Sequence, residues 1–207
     1  MHQPQYFQLK ETQQILDVIR NHPLATIVSV SSTGLVGNHI PMIVVQKGDQ
    51  YFLQGHVAKP NNIWQDYDES VDVLVMFNGP DAYISPNWYP SKQVDHKEVP
   101  TWNYVTVHVT GSMQFFQDKK WLLEHLNKLV ESNEKSQPMP WKVSDAPDDY
   151  IDKMLNAIVG LEIEIKTLIG KSKMSQNHPE ANRKGVIAGL KAQDKDNVAK
   201  WIENPNG

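Results

Sequence analysis

The sequence predicts a mainly β protein: a closed or nearly closed barrel with peripheral helices and a helical C-terminal tail. Three observations predict it. Six short runs alternate apolar and polar residues or concentrate β-branched and aromatic side chains, the pattern of strands. Brief turn signals, Ser32-Thr33-Gly34 and Lys47-Gly48-Asp49, join the first of them. Few helical patterns intervene before residue 118, so strands at this spacing curl back on one another rather than alternate with helices.

The elements follow in order. Residues 10–20 put Ile15, Val18 and Ile19 at helical spacing, and Asn21-His22-Pro23 stops that helix. Strands at 25–31, 38–45 and 50–54 read as an antiparallel meander. Pro60-Asn61-Asn62 opens a short helix through Trp64. Residues 71–77 form a further element of strand character, and 101–116 a long strand bent near Gly111. Asp118 is suited to cap a helix running to about residue 132, with Trp121, Leu122, His125, Leu126 and Leu129 on one apolar face. A loop holding Pro138, Pro140 and Pro147 precedes a helix at 148–156 and a strand at 159–168. The tail carries helical patterns at 180–191 and 195–203. We therefore expect one domain over residues 1–207: a barrel core at about 23–116 and 159–170, a helical insertion at about 118–157 and a helical tail at about 178–204.

Composition narrows the function. The chain contains no Cys, which excludes a disulfide framework, a thiolate metal site and a Cys nucleophile. The N-terminal stretch lacks an apolar core and no window approaches eighteen apolar residues, so neither export nor membrane spanning is indicated and a cytoplasmic location is expected. The net charge of −4 is uneven, with acids concentrated at 61–110 and bases at 166–207. Phosphate-binding loops, dinucleotide fingerprints, a nucleophile elbow and histidine pairs at metal-ligand spacing are all absent, so no metal is expected. Arg183, Lys184, Lys191, Lys195 and Lys200 give the tail a positive character, but Asp194, Asp196 and Glu203 dilute it. Direct DNA binding by this tail is weakly supported, because side chains that read base edges are missing. His2, His22, His96 and His178 fall at predicted ends or loops, where exposure is the default.

The richest segment is 79–104, which holds five of the thirteen Trp and Tyr residues and four prolines. Stiff backbone bearing aromatics beside Ser85, Asn87, Lys92, Thr101 and Asn103 suits a site for a flat organic ligand. Packing over a sheet edge or a dimer seam would produce the same composition.

Particular motifs carry a resemblance: PLATIVSV (23–30), NHIPM (38–42), GHVAKPNNIW (55–64), FNGPDAYISPNWYPSK (77–92), VPTWNYVTVHVTG (99–111) and KMSQN (173–177). With them the chain resembles the PaiB-like family of FMN-binding negative transcriptional regulators, within the FMN-binding split-barrel group. The resemblance implies a six-stranded Greek-key split barrel, a homodimer and FMN held at its seam. It implies a phosphate site at 55–64, with Lys59 as cation and His56 and Asn62 as neighbours, where a helix N-terminus would add N–H donors. Ser85, Trp88, Tyr89 and Lys92, with Thr101, Trp102 and Asn103, would hold the ring; Lys173 and Gln176 would reach a polar edge or cap the next helix. Two alternatives to the regulator stay open: an FMN-dependent oxidoreductase acting on a small molecule, as pyridoxamine phosphate oxidases do, and a barrel binding another planar ligand such as haem.

Overall fold

A computed structural model describes residues 1–204. Among them the strands are β1 (Gln8–Leu9), β2 (Leu24–Ser31), β3 (Gly34–Pro41), β4 (Ile43–Lys47), β5 (Gln50–Ala58), β6 (Val73–Ile84), β7 (Thr101–Phe116) and β8 (Ile158–Lys173). The helices are α1 (Thr12–Asn21), α2 (Lys92–Asp95), α3 (Lys119–Glu134), α4 (Asp148–Leu155), α5 (Glu180–Lys191) and α6 (Asp196–Glu203). The strands hydrogen-bond in the order β3-β2-β6-β7-β8-β5-β4, with β1 joined to β8. The β2–β3, β2–β6, β4–β5, β5–β8 and β1–β8 pairings are all antiparallel.

β5 and β8 run on past their expected ends, to Ala58 and Lys173, and three further departures have clear causes. The expected strand 38–45 is two strands, broken where Pro41 has no N–H to give a ladder and the N–H of Met42 donates instead to the carbonyl of Pro23 at 2.9 Å. β6 runs seven residues further than expected, through Gly79 and Pro80 to Ile84. β1 is a two-residue strand, too short for any period to reveal.

The chain divides into two compact units. The first comprises Met1–His22, Phe77–His108 and the segment from Leu168 onward; the second comprises Pro23–Met76 and Val109–Thr167. In the first, Leu16, Ile19, Phe77, Ile84, Met174, Val186, Leu190 and Ile202 are buried. Its α5 and α6 pack together, and Arg183 donates to the carbonyl of Ile202 at 2.9 Å. Gly185 and Gly189 let α5 approach Trp88: a Cβ at Gly189 would stand 2.3 Å from the indole, and one at Gly185 2.0 Å from the Trp88 carbonyl.

In the second unit Ile27, Leu53, Val75, Leu122, Leu161 and Ile163 are buried. β2 buries every other residue from Ala25 to Ser29, as a strand with one covered face must. The Asp118 carboxylate accepts from the N–H of Trp121 at 2.8 Å, the expected cap of α3. Gly111 lies within an unbroken β7, and a Cβ there would meet the Glu164 carbonyl oxygen at 1.8 Å.

Candidate functional site

β7 organises the first unit. Its period of two sends Thr101 and Asn103 to one face and Trp102 to the other. The consequence shows in burial: Asn103 is 1% exposed and Trp102 49%. On the open face, the Trp102 indole N–H donates to Asp81 at 3.0 Å, and its ring meets Tyr83 edge-on with centroids 6.1 Å apart. Tyr83 is itself half exposed. The half-exposed indole is a flat apolar ring held by one hydrogen bond and braced edge-on by Tyr83.

On the other face is a cleft of about 170 Å³, whose walls include Tyr89, Glu98, Asn103, Lys173, Ser175 and His178. Asn103 Nδ2 donates to Ser175 Oγ at 3.0 Å, while its Oδ1 is buried without a partner. Ser175 reaches this position with a left-handed φ of 61°. Tyr89, 1% exposed, stacks on His178 with centroids 4.9 Å apart, and its hydroxyl, beside that of Ser175, makes no hydrogen bond of full geometry. Burial, and then the charge of Glu98, push the Tyr89 phenol above its ordinary pKa. Glu98 accepts from Ser91 Oγ at 2.5 Å and from Asn182 Nδ2 at 3.2 Å, both on Oε1. Lys173 donates to the Thr101 hydroxyl and, at 2.9 Å, to the Trp102 carbonyl. Burial holds its ammonium below the usual lysine pKa. A buried polar atom without a partner costs about 1–3 kcal/mol. This cleft carries two such atoms. Larger hollows of about 310 and 460 Å³ flank α3 in the second unit, and no buried unpaired polar atom lines either among the described residues.

The structure thus gathers Tyr89, Thr101, Asn103 and Lys173 at one cleft and puts Trp102 on the opposite face of β7. Other expected residues have local duties. Ser85 Oγ accepts from the N–H of Asn87 at 3.2 Å and caps a short 3-10 turn. Trp88 packs on α5, and Lys92 Nζ donates to Asn87 Oδ1 at 2.5 Å. Gln176 closes its own turn, accepting from the Met174 N–H at 2.7 Å and donating to the Ser172 carbonyl at 2.6 Å.

In the second unit, Lys59 is exposed just past β5, and no hydrogen bond or ion pair engages its ammonium among the described residues. Asn62 is exposed in a 3-10 turn whose cap is Asn61, accepting from the Ile63 N–H at 3.0 Å. His56 on β5 faces His125 of α3, Nδ1 to Nε2, at 3.1 Å. His125 stacks on Trp121, and burial, then His56, then Lys128 lower its pKa to about 4.

Sequence reasoning missed Glu98, Ser175 and His178 as cleft residues. Default exposure fails for His178, which the Tyr89 ring half covers. The usable signal was KMSQN itself, since a dense polar run directly after a strand turns several side chains back toward that strand's neighbour.

Residues 1–167 match the family described as "Putative FMN-binding domain". The chain is 31% identical over 203 residues to the protease synthase and sporulation protein PAI 2 of Bacillus subtilis, covering 98% of this chain and 95% of that one. Among solved structures it is similar to the FAD and heme binding protein of Mycobacterium smegmatis, with a TM-score of 0.57 at 15% identity, covering 88% of this chain and 80% of the other. It is also similar to the flavocytochrome Anf3 of Azotobacter vinelandii, with a TM-score of 0.55 at 14% identity, covering 83% and 72%. At such identities the likeness shows the fold: the mainly antiparallel split-barrel class expected from the sequence.

Proposed function

We propose a function from one premise: this chain belongs to the PaiB-like family of FMN-binding domains. The protein binds FMN and acts as a flavin-dependent regulator. The family match across residues 1–167 carries this reading.

The residues fit the cofactor. A flavin ring needs a flat apolar surface, and the half-exposed Trp102 indole, braced edge-on by Tyr83, supplies one ring of that kind. Lys173, bonded to the Trp102 carbonyl, fixes the backbone from which that indole projects. In the second unit, Lys59 has the charge and exposure a phosphate calls for, and its assignment is tested by its own variant. His56 and Asn62 belong to the same motif. FMN supplies electron transfer when bound; the protein's part is to bind and orient it.

We read the protein as a cytoplasmic homodimer. Exposed Tyr83, Val94, Val99 and Trp102 supply apolar anchors of the kind interfaces use. Regulation is read as indirect, with flavin state as the signal. Three of the tail's basic side chains are already engaged: Arg183 by the Ile202 carbonyl, Lys184 by Glu180 at 2.6 Å and Lys191 by Glu203 at 2.7 Å. That leaves less positive charge for DNA phosphates.

Three measurements test the proposal. Sedimentation of the purified chain reports the oligomer, and a monomer at all concentrations removes the dimer. NAD(P)H oxidation by flavin-loaded protein, together with unchanged transcript levels on deletion, would replace the regulator by an oxidoreductase.

A further inference from the structure

The cleft behind β7 makes demands that a flavin ring does not meet. Its volume of about 170 Å³ equals roughly five or six waters at about 30 Å³ each. That is below the range of about 300–1,000 Å³ usual for drug-sized ligands, and a tricyclic ring does not fit inside. The occupant is therefore small.

The walls state its chemistry. Lys173 uses two of its three N–H donors on Thr101 and Trp102, so one remains. The Tyr89 hydroxyl lies beside the Ser175 hydroxyl but makes no hydrogen bond of full geometry, so it is a second donor open to a ligand. Opposed to these are two acceptors: the unpaired Oδ1 of Asn103, and Oε2 of Glu98, whose two bonds both fall on Oε1. A simple anion would satisfy Lys173 and Tyr89 but bring negative charge to Glu98 and Asn103 Oδ1. A simple cation fails in the reverse way, and an apolar guest leaves every group unpaired. A molecule with an anionic end and a cationic end meets all four.

We infer that this cleft is a binding site for a small α-amino acid, its carboxylate taken by Lys173 and Tyr89 and its ammonium by Asn103 and Glu98. The stacked rings of Tyr89 and His178 close one wall and favour a short side chain. The site is separate from the aromatic surface on the other face of β7, so it stands whether or not flavin is bound. It supplies an input by which a nitrogen-bearing metabolite could act on a regulatory protein.

The test is isothermal titration of the full chain with L-alanine, propionate, ethylamine and propionamide, with and without added FMN. Alanine should give saturable heat, and each comparator, which lacks one charged end or both, should bind at least about tenfold more weakly. Tyr89→Phe, which keeps the stacked ring, and Glu98→Gln should each weaken alanine by about tenfold or more while circular dichroism and Tm stay near wild type. Absence of saturable heat with alanine overturns the inference. So does equal binding of propionate or propionamide, or alanine affinity indifferent to both variants. Alanine binding in a protein that fails to retain FMN would refute the flavin reading alone.

Discussion

His56 Nδ1 lies 3.1 Å from Nε2 of His125, and His125 is 1% exposed with its other ring nitrogen unpaired. Burial lowers both pKa values, that of His125 to about 4 from 6.5. The unfolded imidazole therefore binds a proton that the folded one refuses between those limits. Stability from this group is complete above about pH 6.5 and drains as pH falls toward about 4, by about 3 kcal/mol. Denaturant titrations across that window should show the loss, and His125→Leu should flatten it. An unchanged slope in the variant would place the proton uptake elsewhere.

Gly189→Ala should destabilise the first unit, because its Cβ would overlap the Trp88 ring at 2.3 Å. Overpacking of this kind costs about 1–3 kcal/mol, a Tm fall of roughly 2–12 °C for a chain of this size. Gly111→Ala should be at least as severe, since the obstacle is backbone, the Glu164 carbonyl at 1.8 Å. Calorimetry of the two variants checks both, and a wild-type Tm in either would contradict the close approach.

Lys59→Ala should weaken FMN by about 1.5–3 kcal/mol, the worth of a hydrogen bond to a charged group. Fluorescence titration with FMN reads it directly. Unchanged affinity would remove Lys59 from the phosphate.

Trp102→Ala should lower both flavin retention and self-association, since the exposed indole is proposed to serve both. Circular dichroism should still report the folded chain, because the ring is 49% exposed and its one side-chain hydrogen bond is to Asp81. A variant that remains dimeric and keeps its flavin would leave that surface without either role.

Much of the fold was legible because its signals are local. Alternation marks β2, β5, β7 and β8, and Asp118 announces α3 one residue before it starts. What failed also has local causes. Pro41 sits within one apolar run although it cannot donate to a ladder, and Gly79-Pro80 carries turn chemistry although β6 passes through it. The site was legible in composition and less so in arrangement. Trp88 and Trp102 look alike in sequence, yet two glycines a helical turn apart in α5 claim the first and leave the second in solvent. Tyr89, Glu98 and Asn103 come from the segment 79–104 and Ser175 from 72 residues beyond Asn103, and only the fold brings the two stretches to one cleft. His125 looked like one more residue of an apolar helix face, and its partner His56 is 69 residues away.

The flavin proposal is tested most directly by absorbance of the purified protein, before and after mixing with FMN and desalting. We predict a retained flavin band with quenched fluorescence at a fixed ratio to protein. A protein fraction without flavin absorbance after mixing would contradict FMN as its cofactor.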